Sequence, residues 1–174
     1  RGAWAVVLFF GAGAIYGMAL ENGGIRMGFF SEEGYRLYLR PLFPGPLVTG
    51  LGWCTVFYTV SFIVERITTA ATPVWLRTAL AACLALSIDL QVDPVATRVG
   101  WWVWHPSLPP AHHVVPLVNY ISWVCAITPF AWHYFAMSAA RYSDRKRALR
   151  TLIAVPAYLV AGAILVLGAT RVLC

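Results

Sequence analysis

Five long apolar segments, separated by more polar loops, dominate the hydrophobicity pattern of this chain. A helix of about 20 apolar residues crosses the hydrocarbon core of a bilayer, and each segment reaches or approaches that length. The segments are Ala3–Leu20, Leu47–Val64, Val74–Leu90, Val114–Met137 and Leu152–Thr170. The pattern predicts an all-α fold, a polytopic transmembrane helical bundle of about five spans. With no internal repeat or low-complexity linker, residues 1–174 are expected to form a single integral membrane domain.

Composition agrees with a membrane protein. Of the 174 residues, 60% are hydrophobic and 11% are charged, whereas a soluble domain carries about 25% charged residues. The net charge of +6 comes almost wholly from arginine. Because these basic residues lie in loops between apolar segments, the positive-inside rule explains them without a nucleic-acid partner. The chain begins at Arg1 rather than methionine, so it can be a piece of a longer protein.

Basic residues are concentrated between the fourth and fifth segments. They are Arg141, Arg145, Lys146, Arg147 and Arg150. Cytoplasmic loops carry an excess of lysine and arginine, so we predict that the 141–150 loop is cytoplasmic. Counting the spans back from it places residues 21–46 and 91–113 on the opposite side.

Acidic and amide side chains lie at the segment ends on that opposite side. Glu21 and Asn22 end the first segment, Asp89 and Asp93 lie at the end of the third, and Asn119 opens the fourth. An ionisable group at membrane depth costs about 2.5–3.5 kcal/mol on insertion scales, and such groups usually mark functional sites. We therefore predict that these residues meet at one membrane side, whichever side that is.

Asp89 and Asp93 are four residues apart and share one face if the helix continues to Asp93. Pro94 follows and can end the helix or begin a new turn. Two carboxylates on one face in a low-dielectric site do not both ionise cheaply, so one is expected to keep its proton near neutral pH. Such a pair suits general acid–base catalysis. In the alternative interpretation, Asp93 caps the next helix and Asp89 pairs with Arg98.

Glu21 and Asn22 are followed by Gly23-Gly24, which let the chain turn tightly or approach another backbone closely. In the simpler interpretation this is a helix exit with a solvated glutamate.

Aromatic residues surround these acids in the sequence. The stretch Trp101–Trp104 is too apolar for a solvated loop, so it predicts an interfacial or re-entrant segment. Residues 28–38 also mix aromatic and charged side chains and predict an interfacial piece. Trp101, Trp104, Tyr120 and Trp123 either belong to an aromatic belt or line a site for an extended apolar ligand. Ring faces also stabilise a carbocation by about 0.5–2 kcal/mol each.

Metal and cofactor signatures are missing from the sequence. His112 and His113 are adjacent and do not face each other on a helix, and the chain lacks carboxylates and histidines at the helical spacing of a di-metal site. The four cysteines have no metal-like spacing, and there is no glycine-rich phosphate loop. We expect neither a metal nor a cofactor.

Three motifs together resemble a known family. They are Asp89-Leu-Gln-Val-Asp93-Pro94, Trp101-Trp102-Val-Trp104 and Val115-Pro116-Leu-Val-Asn119-Tyr120-Ile-Ser-Trp123. In order and spacing they are similar to the membrane proteins of carotenoid biosynthesis, which include the cofactor-independent carotenoid 1,2-hydratases and bisanhydrobacterioruberin hydratases. Glu21-Asn-Gly-Gly with Gly28, and Pro44-Gly-Pro46 with Leu51-Gly-Trp53, are similar to the first half of the same family, so the resemblance covers roughly residues 16–125.

The resemblance implies addition of water to a terminal alkene of an acyclic carotenoid or similar isoprenoid lipid, without a metal or redox cofactor. In that reaction Asp89 or Asp93 would be the acid, the other aspartate or Glu21 would orient the water, and Asn119 would assist by hydrogen bonding. The implied substrate-binding residues are Asn22, Trp101, Trp104, His113, Tyr120 and Trp123. The expected partners are a lipid-soluble polyene and the lipids of a bacterial or archaeal cytoplasmic membrane, and the oligomeric state stays open.

Two other functions use the same acids. A membrane cyclase would protonate the polyene and quench the cation with an internal alkene or hydroxyl group. A small transporter or channel would relay protons or ions through Asp89 and Asp93. A structural subunit of a larger complex is also compatible with the sequence, although no specific feature favours it.

Overall fold

Helices form nearly all of the regular structure. The computed structural model describes residues 3–29, 47–140 and 142–173. Its elements are α1 (Ala3–Arg26), α2 (Leu47–Ile67), α3 (Val74–Arg98), β1 (Pro110–His112), β2 (Val115–Pro116), α4 (Leu117–Ala139) and α5 (Asp144–Leu173). The two short strands pair antiparallel directly before α4. The prediction of an all-α, polytopic transmembrane bundle is confirmed.

Four of the five described helices are long and apolar enough to cross a membrane, namely α1, α2, α3 and α5. The fourth helix, α4, has the length, with 23 residues. Two of its polar side chains, Asn119 and Tyr134, are buried inside the protein. These polar groups therefore face other helices rather than lipid.

The helices pack as a closed ring in chain order. Each helix contacts the next one along the chain, and α5 closes the ring by contacting α1. Stacked aromatic rings fill the middle of the ring, with Phe57 and Phe130 at a centroid distance of 4.1 Å. Pro129 removes one amide donor from this turn of α4. The Tyr16 hydroxyl donates to the Ala126 carbonyl of the same turn at 2.8 Å, which ties α1 to α4.

The end of α1 differs from the prediction. The helix continues through Gly23-Gly24 to Arg26, so the expected exit at Glu21 and Asn22 is wrong. The helix stops instead at Gly28, which has a φ of 76°. The amides of Gly28 and Phe29 donate to the carbonyls of Ile25 and Gly24, both at 3.0 Å. This is the Schellman arrangement, which requires a left-handed residue and so favours glycine.

The end of α3 is built in the same way. The helix runs past Pro94 to Arg98, and Gly100, with a φ of 70°, adopts the left-handed conformation after it. The Trp101 amide donates to the Ala96 carbonyl at 2.9 Å. Pro94 therefore neither ends the helix nor starts a new one.

The tryptophan-rich segment after α3 folds back over the end of the bundle. The Trp104 indole N–H donates to the Thr97 hydroxyl at 3.0 Å, and the side chain of Trp104 is buried. The His105 amide donates to the Phe29 carbonyl at 3.0 Å, linking this segment to the end of α1. The interfacial piece predicted at residues 28–38 lies outside the described residues beyond Phe29.

Candidate functional site

Asn119 bridges the two aspartates. Its amide nitrogen donates to Asp89 Oδ2 at 2.9 Å and to Asp93 Oδ2 at 2.6 Å. The aspartate side chains are 0% and 3% exposed, respectively. Because an amide group has two hydrogens, each carboxylate receives one of them. The prediction that these three residues meet is confirmed.

Helix geometry explains this meeting. Asp89 and Asp93 are one turn apart on α3, so both project from the same face. That face packs against α4, and Asn119 lies in the first turn of α4, which begins directly after β2. The alternative interpretation, with Asp93 as a helix cap, is wrong because Asp93 lies inside α3.

The aspartates have no cationic partner among the described residues. Arg98 is exposed at the end of α3 and forms no ion pair with Asp89 within the described part of the chain, which removes the other half of the alternative interpretation. Asp89 Oδ1 is buried without a hydrogen-bond partner there. Two carboxyl groups are therefore held together in an apolar environment by one neutral amide.

Glu21 reaches the same region from α1. Its Oε1 accepts a hydrogen bond from the Trp53 indole N–H of α2 at 2.7 Å, and it lies within electrostatic reach of both aspartates. Trp53 in turn stacks on Trp123 of α4 with a centroid distance of 4.3 Å. Gly17 allows this arrangement, because a Cβ there would lie 2.5 Å from the Trp53 Cβ.

Trp53 is a residue that the sequence analysis did not assign to the site, although it belongs to a motif of the family resemblance. It lies in the middle of an apolar segment, where an indole looks like any other large hydrophobic side chain. A buried indole N–H usually finds an acceptor. A tryptophan well inside a membrane span is therefore a signal for a nearby oxygen, here that of Glu21.

Two cavities meet at these side chains. The first, which we call the α2/α3 cavity, has a volume of about 370 Å³. The second, the α1/α5 cavity, has a volume of about 230 Å³. Both are lined by Glu21, Trp53, Trp104, Asn119 and Trp123.

The cavities differ in their access to the carboxyl pair. Asp93 lines the α2/α3 cavity, together with Trp101 and Trp102. The described lining of the α1/α5 cavity contains Glu21 but neither aspartate. Asp89 lines neither cavity in the described structure.

Comparison with protein families identifies the chain. The family model described as carotenoid biosynthesis protein matches residues 1–173. The chain belongs to this family. The resemblance predicted from three motifs is thus confirmed, and the match extends over almost the whole sequence. Comparisons with curated proteins and with solved structures give no significant match.

This carotenoid biosynthesis protein brings most of its predicted site residues together. Beyond the acids and Asn119, the predicted aromatic residues Trp101, Trp104 and Trp123 line the α2/α3 cavity. Tyr120 is buried and packs with Trp104 and Val115, within electrostatic reach of both aspartates. Its hydroxyl has no hydrogen-bond partner among the described residues.

Like Tyr120, two further predicted substrate-binding residues, Asn22 and His113, line neither cavity in the described structure. The Asn22 amide donates to the Met18 carbonyl of its own helix at 2.7 Å. His113, with a φ of 54°, lies in a separate polar cleft with Arg98 and His112. No group of three or more described histidine, cysteine, aspartate or glutamate side chains is arranged to hold a metal ion.

Proposed function

We propose that this membrane protein of carotenoid biosynthesis catalyses the acid-dependent addition of water to a terminal alkene of an acyclic carotenoid or a similar polyene. The observation that carries the proposal is the Asn119-bridged carboxyl pair, which lies against a cavity walled by tryptophans. Family membership supports a substrate of the carotenoid class.

The carboxyl pair is suited to hold one proton. Two buried carboxylates without a described cationic partner repel each other strongly in a low-dielectric site, and a shared proton removes most of that repulsion. The Asn119 amide donates to both groups and so favours the remaining negative charge. The pair therefore offers an acid and its conjugate base side by side.

Asp93 is the better placed acid, because it lines the α2/α3 cavity whereas Asp89 does not. Its proton passes to the less substituted carbon of the terminal double bond. The π bond breaks, a C–H bond forms, and the other carbon becomes a tertiary cation. Trp104 and Trp123 line the same cavity, and an aromatic ring face that meets such a cation stabilises it by about 0.5–2 kcal/mol.

Water then attacks the cation and forms the C–O bond. Glu21 is in a position to orient this water, since its carboxylate lines the cavity and is held by Trp53. The proton lost by the water returns to the carboxyl pair, so the protein ends in its starting state. The product is a tertiary alcohol.

Isotope labelling tests these bond changes directly. Purified protein in lipid nanodiscs with an acyclic carotene should give a product that is heavier by one water. In water enriched in heavy oxygen the new hydroxyl should carry the label, and in D₂O one new C–D bond should form. A product of unchanged mass would instead indicate cyclisation, and no product from any acyclic polyene would contradict the proposal.

Trp53 is proposed as a positioning residue for Glu21. Trp53→Phe keeps an aromatic ring against Trp123 but removes the hydrogen bond to Glu21, so we expect the hydration rate to fall by about tenfold, the equivalent of one hydrogen bond to a charged group. Trp75→Phe is the matched control, because Trp75 is exposed at the start of α3.

A double-mutant cycle separates this role from a merely structural one. If Trp53 acts through Glu21, Trp53→Phe should lower the rate little further in a Glu21→Gln background. Equal losses in the presence and absence of the glutamate would show that Trp53 acts independently of it.

We also propose that the loop between α4 and α5 faces the cytoplasm. The predicted 141–150 loop is wrong from Asp144 onward, because α5 begins there. Arg145, Lys146 and Arg150 are exposed in the first turns of α5, at the end of the bundle opposite the aspartates. In this orientation the carboxyl pair lies near the outer surface of the cytoplasmic membrane.

A further inference from the structure

The α2/α3 cavity runs along the least tightly packed part of the helix ring. Among neighbouring helices, α2 and α3 make the sparsest contacts. One face of α2 lines the cavity with Val48, Gly52 and Thr55, and all three are exposed. On the α3 side the lining includes Val92, which is 42% exposed. The opening of the cavity is therefore bordered on each helix by an exposed apolar side chain, Val48 on α2 and Val92 on α3.

The inner end of the same cavity is where the oxygen-bearing side chains lie. Glu21, Asp93 and Asn119 line it there, together with the Trp53–Trp123 pair. At about 370 Å³, its volume is near the lower end of the 300–1,000 Å³ typical of ligand cavities. Such a space accommodates the end of a long polyene but not the whole chain.

We propose that the opening between α2 and α3 is the route by which the terminal isoprenoid segment of a linear polyene passes sideways from the bilayer to Asp93, while the rest of the polyene stays in the lipid. The nature of the ligand rests on the function proposed above, but the route is a separate claim. It follows that the protein recognises the end of the chain and makes few contacts with its distal part.

The α1/α5 cavity is the rival route. It lies between helices that pack closely against each other, and its described lining includes Gly23, Ser122 and Gly162. A polyene end entering there would meet Glu21 and Asn119, but no described aspartate. This path does not bring an alkene to the carboxyl pair.

Gly52 provides a selective way to close the proposed route. A Cβ at this position meets no atom within 4 Å, and leucine is a better helix former than glycine, so Gly52→Leu fills part of the cavity without disturbing the helix. Gly11→Leu is the matched control, because Gly11 also has open space around its Cβ position and lines neither cavity. Gly23→Leu, again into open space, fills the rival cavity.

The experiment measures binding rather than turnover. Each substitution is made in an Asp93→Asn background and placed in nanodiscs, and an acyclic carotene is titrated while its quenching of tryptophan emission is followed. Gly52→Leu should weaken binding by about tenfold or more, since it overpacks an occupied site, and Gly11→Leu should not change it. Val92→Phe narrows the opening from the α3 side and should have the same effect as Gly52→Leu.

The outcomes separate the route from the chemistry. Unchanged binding in Gly52→Leu and Val92→Phe, or a loss confined to Gly23→Leu, overturns the proposed route. An equal loss in Gly11→Leu does so as well, because the effect would then be nonspecific. Binding that depends on Gly52, combined with no hydrated product from the wild-type protein, would leave the route standing and refute the proposed reaction.

Discussion

Asp93→Asn is expected to lower the rate of polyene hydration by about 10²–10⁴-fold, the usual contribution of a general acid. Asparagine has nearly the same shape as aspartate, so the cavity should keep its form. Its amide, however, has no carboxylic proton to give to an alkene. The measurement is the initial rate of product formation in nanodiscs, at equal amounts of folded protein.

Glu65→Gln serves as the matched control for this loss of a carboxylate. Glu65 lies near the end of α2 that is remote from the cavities. Its Oε1 accepts a hydrogen bond from the Tyr134 hydroxyl at 3.0 Å and lies 3.7 Å from Nη1 of Arg147. Glutamine can still accept the tyrosine hydrogen bond, so the rate should be unchanged. Wild-type rates in Asp93→Asn would rule out this residue as the proton donor.

Removing the bridging amide should have the largest effect on stability. Asn119→Ala leaves Asp89 and Asp93 buried without their common donor, and we expect the free energy of unfolding to fall on the order of 3 kcal/mol, since buried charged groups without partners are costly. Equilibrium unfolding in detergent measures this change. Asn22→Ala is the control, because within the described residues that amide donates only to the Met18 carbonyl of its own helix and should matter less.

A second substitution can relieve the same loss. Asp89→Asn in the Asn119→Ala background restores an amide next to Asp93 and removes one buried acid. The double variant should therefore be more stable than Asn119→Ala alone, giving a favourable coupling in a double-mutant cycle. Equal destabilisation by Asn119→Ala and Asn22→Ala, with no such coupling, would contradict the bridging role.

The meeting of the acids could be predicted from the sequence because it follows from two simple regularities. The spacing of Asp89 and Asp93 places them on one helix face, and the alternation of spans places Asn119 at the same membrane side. The hydrogen-bond pattern itself depends on the depth and rotation of α4 relative to α3. Those quantities are set by packing, which no local pattern in the sequence records.

The end of α1 shows the opposite case. Gly23-Gly24 and Gly28 are all plausible stop signals, and each glycine inside a helix costs about 1 kcal/mol relative to alanine. At Gly23-Gly24 the contacts of α1 with α2 and α5 outweigh that cost, so the helix continues and stops only at Gly28. Because the helix continues to Arg26, Glu21 lies within α1 rather than at its exit. From there its carboxylate accepts the hydrogen bond from Trp53.

The double donation by Asn119 also fixes the direction of its side chain. Turning the carboxamide over would point its oxygen at the ionised carboxylate and remove both donations from the amide nitrogen, so the observed orientation is favoured. Electrostatic catalysis gains most when dipoles are already aligned before reaction and need no reorientation. In this protein the uncharged Asn119 side chain is held in one orientation between α3 and α4. Its dipole therefore sets the local electric field before any substrate arrives.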